Sequence, residues 1–456
     1  MSTPEAPRWR DALRVYGQPR MLSMLALGFS SGLPFMLVYN TLSAWLRQSG
    51  IERSTIGMLS WAGLAYSFKF LWAPIVDRLR LPVLGRTLGQ RRSWMLLSQL
   101  SIVLALLAIS HSDPARDVVH VAAMALWLAF SAATQDISID AWRIESAPAR
   151  AQGEMAAAYQ YGYRIAILTG TAGALWLADD FGWMRSYTIM AALIGIGVIT
   201  TLAVREPQRI VPQTSVLAER RVVDWLERHT HWPAAMRHGG SWLLGAVLCP
   251  VLDFFARHGL VLGLLLFAFI GTYRLTDFTM GVMANAFYLD LGFTLKQVAA
   301  VVKIYGTILT LAGILVGGYA VARFGRTRSL LLGSVLVIAS NLAYAVLAAH
   351  GEPSVIGLGA AISMDNFAQA VHGTALIAFM SSLTSASYTA TQYAVLSSLY
   401  SLPPKLLMGT SGFVVDAIGY PPFYLYTAAL SLPPLLLLYF LSRRRGFELA
   451  QSAPAL

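Results

Sequence analysis

The sequence predicts an all-α polytopic membrane protein of two six-helix bundles. Three observations lead there: few charges, a recurring apolar length, and basic residues gathered between the apolar runs. Of 456 residues, 56% are hydrophobic and only 12% charged, against roughly 25% charged in soluble domains. A water-facing surface cannot be built from this chain. Twelve spans of about 20 residues use about 240 positions, which leaves short connections, two ends and one longer loop.

The spans are placed near 21–46, 54–76, 93–110, 120–142, 153–178 and 185–204, then near 259–284, 297–320, 328–348, 355–380, 388–413 and 421–441. The start, MSTPEAPRWRDALRVYGQPR, is too long and too acidic for the n-region of a cleaved signal, so the first apolar run is a retained span. A further apolar patch, 239–255, is short, holds Pro250 and ends in an acid. It reads as a helix on or partly in the membrane surface, or as one that crosses paired with the amphipathic stretch 213–237. The domains are then 1–204 and 258–441, joined by a central linker 205–257 and followed by a tail 442–456.

Charge sets the orientation. With the N-terminus inside, seventeen arginines flank the inner ends of the spans, among them Arg78, Arg80, Arg86, Arg91, Arg92, Arg143, Arg323 and Arg326. Only Arg47, Arg53, Arg116, Arg185 and Lys296 fall outside. Both termini are predicted to be cytoplasmic. A net charge of +11 distributed in this way marks topology rather than nucleic-acid binding. The single cysteine, Cys249, excludes an intrachain disulfide and a cysteine-based metal cluster.

The halves look related. Ala73-Pro-Ile-Val-Asp77-Arg78 followed by Gly85-Arg86 ends the second span; Gly318-Tyr-Ala-Val-Ala322-Arg323-Phe-Gly325-Arg326 ends the eighth. Similar basic turns at corresponding places suggest six-plus-six parallel repeats about an axis normal to the membrane. Small residues there permit close helix approach, and arginines can bridge carboxylates and helix ends in a latch that opens and closes. The alternative is that these arginines only fix topology. The predicted cytoplasmic gate is Asp77, Arg78, Gly85, Arg86, Gly318, Arg323, Gly325 and Arg326.

These turns resemble the signature of the major facilitator superfamily, G-x-x-x-D-R-x-G-R-R, with Ala73 for the first glycine and Ala322 for the second-half acid. Together with SGLPF (31–35), FKFLWAPIVDR (68–78), LGRTLGQRRSW (84–94) and ATQDISIDAWRIE (133–145), the chain resembles the AmpG-type muropeptide permeases of that superfamily, from about residue 10 to 441. The resemblance implies import of GlcNAc-anhydroMurNAc and its peptides from periplasm to cytoplasm across the inner membrane. It also implies coupling to protons, a place in peptidoglycan recycling and a link to β-lactamase induction. No cofactor beyond the proton gradient, no metal and no nucleic acid is expected; the partners are substrate, protons and lipid, and each chain is expected to act as a monomer.

Ionisable groups inside the spans are the most informative residues, because one Asp, Lys or Arg at a helix centre costs about 2.5–3.5 kcal/mol on insertion scales. Asp136 and Asp140 share one helix face, which favours proton uptake by one of them. Against this stands structural pairing of Asp140 with Arg143 and of Asp136 with Arg164. Arg274 and Asp277 can neutralise each other, or Arg274 can take a substrate carboxylate. Asp365 on the tenth span, with Asn366 and Gln369, and Lys303 on the eighth complete the predicted charges; Lys69 is expected to snorkel or pair with Asp77. The predicted proton-coupling residues are therefore Asp136, Asp140, Asp277 and Asp365.

Sugar recognition wants aromatic faces beside amides in a largely apolar pocket. Candidate substrate contacts are Tyr39, Asn40, Trp61, Gln135, Gln160, Tyr161, Arg164, Arg274, Lys303 and Gln392, and each alone can equally be packing. Gly162, Gly170 and Gly173 line the fifth span and Gly306, Gly313 and Gly317 the eighth, permitting close contact; Pro403-Pro404 predicts a break in the eleventh. The absence of a Walker-type phosphate loop argues against primary energy coupling. A secondary transporter is the main reading. Its rivals are an embedded enzyme acting on lipid-linked sugars, a carrier of another amphiphilic solute, and a scramblase or structural protein.

Overall fold

The computed structural model describes residues 18–51, 65–148, 151–207, 244–298, 305–408 and 410–444, with a few positions between these stretches. The chain folds as twelve helical spans. In the first half these are α1 (19–48), α2 (described from Ala65 to Arg78), α3 (Gln90–Ser110), α4 (Val118–Ser146), α5 (152–181) and α6 (Trp183–Ala203). In the second they are α7 (260–290), α8 (Gly306–Phe324), α9 (Arg326–His350), α10 (Val355–Leu383), α11 (389–418) and α12 (Tyr420–Ser442).

Contacts repeat between the halves. The pairs α1/α5, α3/α4, α3/α6 and α2/α4 are matched by α7/α11, α9/α10, α9/α12 and α8/α10. Crossings between the bundles match in pairs too, α5 on α8 with α11 on α2, and α5 on α10 with α11 on α4. This is the contact pattern of two similar six-helix bundles related by a pseudo-two-fold axis, as the repeated turns predicted.

Among the described residues, seven helices are long and apolar enough to cross a bilayer by length and composition alone: α3, α4, α6, α7, α8, α9 and α12. The other five, α1, α2, α5, α10 and α11, all contribute side chains to one central cavity. Their polar residues and interruptions belong to that wall. Irregular backbone at membrane depth is tolerated where it lines a cavity or is buried in protein. So α1 widens into a π segment at Leu37–Thr41 and α5 into another at Thr169–Gly173. The two segments meet, Thr41 Oγ1 donating to the Gly170 carbonyl at 2.5 Å. In α2 a 3-10 turn, Lys69–Leu71, precedes the Ala73–Arg78 helix.

Small residues let backbones touch. A Cβ at Gly162 would sit 1.9 Å from the Leu25 carbonyl oxygen, and one at Gly28 would sit 2.2 Å from that of Tyr159, so α1 and α5 pack backbone to backbone. Gly313 plays the same part between α8 and α10, 2.7 Å from the Phe367 carbonyl. Gly173, expected to do likewise, meets only Thr169 of its own helix.

One expectation is corrected. The Pro403-Pro404 pair does not break α11, whose first stretch runs through both prolines to Met408; proline removes donors, but its fixed φ near −65° is itself helical. The patch 239–255 is helical over its described part. A π turn, Leu244–Leu248, against the end of α2 leads into a helix, Cys249–His258, that packs on α11. At about 1.5 Å per residue these fifteen positions rise about 22 Å, short of a hydrocarbon core of about 30 Å, so this part does not cross.

Gly162→Ala is expected to lower the melting temperature of the purified protein, since overpacking costs about 1–3 kcal/mol. Gly359→Ala, where an added methyl meets open space, should leave it unchanged or slightly raised. Equal melting of the two variants would contradict the α1/α5 contact.

Candidate functional site

Between the bundles lies a cavity of about 320 Å³. Phe35 of α1, Tyr66, Ser67 and Lys69 of α2, Asp136 and Asp140 of α4, and Tyr159, Gln160, Tyr163 and Arg164 of α5 form its first-half wall. Arg274 and Phe278 of α7 and Tyr393, Ser397, Tyr400, Ser401 and Lys405 of α11 form much of the other. Four cations face two carboxylates, together with seven aromatic rings.

Asp140 sits between two cations, 3.6 Å from Lys69 Nζ and 3.4 Å from Arg143. Lys69 therefore neither snorkels nor pairs with Asp77; the 3-10 turn carries it inward, where it is 7% exposed. Asp136, one turn earlier, has no cation within ion-pair distance among the described residues. It accepts a short hydrogen bond from Ser31 Oγ, and Ser31 is also bonded to Tyr159 Oη at 2.8 Å. The alternative Asp136–Arg164 pair is not formed; Asp136 is met by Ser31 of α1 instead. Arg164 lines the cavity without an ion pair among the described residues, while Gln160, one turn before it, donates to Thr374 Oγ1 of α10 at 2.5 Å.

In the second half Arg274 Nε donates to Asp277 Oδ2 at 2.8 Å, and the same oxygen lies 3.2 Å from His372 Nδ1. Arg274 faces the cavity; Asp277 and His372 stand behind it. Phe35 packs edge-on to Tyr66 at 5.2 Å and near Tyr163 at 6.3 Å, so aromatic faces form one wall.

Several predicted contacts stand elsewhere. Gln135 is buried and bonded to Ser30 through both its amide atoms, pinning α4 to α1. Tyr161 packs with Ala157, Ile314 and Ala370 at the α5/α8 crossing. Asp365 is bonded by Gln369 Nε2 at 2.9 and 3.0 Å and is not among the residues lining the cavity. Gln392 is held at the arginine-bearing end, accepting from Arg257 at 2.8 Å and donating to Asp253 at 2.9 Å. Trp61 and Lys303 lie outside the described residues, as do the side chains of Tyr39 and Asn40.

The arginine-bearing end is closed by contacts between the bundles. Asp77, 1% exposed, accepts from Arg91 Nη2 at 2.7 Å and from the backbone N–H of Ala390 and Thr391 at 3.2 and 2.6 Å. It thus caps the N-terminus of α11 with negative charge. Arg91 also reaches Glu145 at 2.6 Å. Glu206 accepts from the Arg91 and Arg92 amides at the start of α3, and burial pushes its carboxyl above the usual range. Arg143 donates to Ser381 of α10 at 2.9 Å and lies over the Tyr393 ring.

The other gate residues differ in placement. Arg78 lies over the Tyr388 ring at 5.9 Å, Gly85 follows the turn after α2, and Arg86 is exposed. In the second copy Gly318 sits against Gly153 of α5, and Gly325, at φ +80°, opens α9 beside a half-buried Arg326. Arg323 is exposed over Phe324.

Sequence reasoning passed over Arg91, Glu145 and Lys405 as members of these networks, and His372 altogether. The pairing Arg91-Arg92 and the acid ending ATQDISIDAWRIE were visible, but their meeting across helices was not. Lys405 Nζ, which donates to Ser67 Oγ at 2.6 Å, was hidden by the apparent proline break.

Comparison with known proteins matches residues 24–404 to the model of the Major Facilitator Superfamily. The anhydromuropeptide permease of Escherichia coli K12 is 35% identical over 428 residues, covering 93% of this chain and 80% of that protein. The AmpG 4 transporter of Rickettsia felis is 32% identical over 433 residues, covering 94% and 98%. The fold is similar to that of the proton:xylose symporter XylE bound to 6-bromo-6-deoxy-D-glucose, with a TM-score of 0.61, 12% identity and coverage of 92% of this chain and 94% of that one. With a cavity between two six-helix bundles and this likeness along nearly its whole length, the chain belongs to the major facilitator superfamily, in its AmpG-type branch, and is a multi-pass membrane transporter.

Proposed function

We propose that this protein carries GlcNAc-anhydroMurNAc and its peptide-bearing forms from periplasm to cytoplasm, together with protons, during peptidoglycan recycling. The observation that carries the reading is the cavity: aromatic faces beside Gln160 suit a sugar, and four cations against two acids suit a solute that bears carboxylates. The name of the E. coli relative, an anhydromuropeptide permease, supports the substrate class. In this reading the membrane is the inner membrane, the arginine-bearing end and both termini are cytoplasmic, and the protein works as a monomer. The incoming muropeptides would feed the signals that induce a β-lactamase.

The mechanism is alternating access. Substrate enters from the periplasm while Asp77, Arg91 and Arg143 hold the cytoplasmic end shut; rocking of the bundles then parts Asp77 from α11 and releases substrate inward. Asp140 has two cations beside it, whereas Asp136 accepts from the Ser31 hydroxyl and has no cation within ion-pair distance among the described residues, so of the two carboxylates Asp136 exchanges the proton. Arg164, without an ion pair among the described residues, and Arg274, held on one side by Asp277, face the substrate's carboxylates. Asp277 and Asp365 act from behind the wall, Asp277 on Arg274. An enzyme acting on lipid-linked sugars is disfavoured, because it gives no reason for a latch between two matching bundles.

Asp136→Asn should abolish proton-driven accumulation in proteoliposomes yet preserve exchange of labelled for unlabelled substrate; undiminished accumulation would remove Asp136 from the proton path. Arg164→Ala should weaken binding of a carboxylate-bearing muropeptide by about ten- to a hundredfold, the size of one or two hydrogen bonds to charge. Unchanged affinity returns Arg164 to a packing role. Asp77→Ala should lower thermal stability by about 1–3 kcal/mol and speed thiol labelling of a Ser381→Cys reporter, whereas Arg86→Ala should do neither.

A further inference from the structure

His372 is buried in the middle of α10, 2% exposed, with its ring stacked on Tyr273 at 3.9 Å between centroids. Its Nδ1 lies 3.2 Å from Asp277 Oδ2, the oxygen that also accepts from Arg274 Nε at 2.8 Å. Asp277 Oδ1 has no hydrogen-bond partner among the described residues. One carboxylate oxygen is therefore shared by an imidazole that can change charge and a guanidinium that cannot. Arg274 is 22% exposed in its side chain and lines the cavity; Asp277 and His372, at 3% and 2%, do not reach it.

The surroundings leave the imidazole few other partners. From α7 come Tyr273, Arg274 and Asp277; Tyr273 Oη is spent on the Leu330 carbonyl at 2.9 Å. From α9 come Gly333, packed on the His372 backbone, and the nearby Ser334, neither of which titrates. On α10 itself Asp365 is engaged by Gln369. From α11 Tyr400 faces Arg274. The α12 residues in this core are Leu438 and Leu441.

We infer that His372 is a positioning residue that sets, through Asp277, how firmly Arg274 is held away from the substrate. With a neutral imidazole, Asp277 balances Arg274 alone. When His372 takes a proton, the single negative charge of Asp277 is divided between two cations, and Arg274 gains a net pull toward an anion in the cavity. Proton and anionic substrate then bind with positive coupling, each raising the affinity for the other by the same factor. This provides a second proton-linked site, in the other bundle from Asp136. The inference rests on the reading of the cavity as a site for carboxylate-bearing muropeptides.

The test uses the full-length protein in nanodiscs and two probes, an anhydromuramyl tripeptide with free carboxylates and its fully amidated form. Affinities are measured from about pH 5 to 8. For wild type, the acidic probe should lose about tenfold in affinity across that range, within the usual span of site-to-site coupling, and the amidated probe should lose little. His372→Gln should flatten the dependence for the acidic probe. Asp277→Asn should bind it at the high-pH end about as tightly as wild type does at the low end. A variant of either kind that keeps the wild-type slope overturns the inference; melting curves show whether each is folded, and either one suffices. Failure of wild type to bind both probes at every pH would instead overturn the proposed substrate class.

Discussion

An ionised side chain withdrawn from water costs several kcal/mol unless opposite charge, a helix end or a polar cavity meets it, and the architecture follows from how each such charge is met. Arg91 is enclosed by Asp77 and Glu145; Asp77 in turn meets the amides that begin α11. Asp140 is bracketed by Lys69 and Arg143. Apart from Arg143, which shares α4 with Asp140, these partners come from different helices and, at Asp77, from different bundles. The charges that a membrane penalises thus hold the bundles together at one end. A contact made of charge and hydrogen bonds can be remade with water when the bundles part, which close apolar packing alone does not provide.

The two pseudo-symmetric crossings are sealed by unlike means. Where α2 meets α11, an acid in the signature position caps the facing helix. Where α8 meets α5, Ala322 stands in the acid's place and Gly153 rides against Val321 and Gly318, a Cβ there falling 2.7 Å from the valine. One crossing is polar and directional, the other small and smooth. Arg323, left without an acid neighbour in its own motif, turns out over Phe324.

Much of this could be read from the residues. Spans, repeats and the acid-basic turn follow from composition and spacing, because hydrocarbon thickness and charge bias act on sequence directly. The i,i+4 carboxylates and the Gln160–Arg164 face were legible because helix periodicity fixes them locally. What spacing could not supply was which partner arrives from another helix: Ser31 rather than Arg164 at Asp136, Lys69 rather than a distant surface at Asp140, and Asp253 with Arg257 at Gln392. His372 escaped notice because a lone histidine in an apolar helix has no periodic mate; its acid lies 95 positions earlier in the chain. Five of the seven cavity-lining helices, α1, α2, α5, α10 and α11, were also the ones whose apolar signal was weakest, since the residues that make the site are those that interrupt the span.

The most direct measurement is proton movement driven by substrate. Proteoliposomes holding the purified protein and a trapped pH-sensitive dye, with no imposed gradient, receive an anhydromuramyl peptide on the outside. The account predicts that the lumen acidifies as labelled substrate enters, and that both signals are lost together when the proton path is removed. Entry of substrate with no change in lumenal pH, or no entry at all, would contradict it.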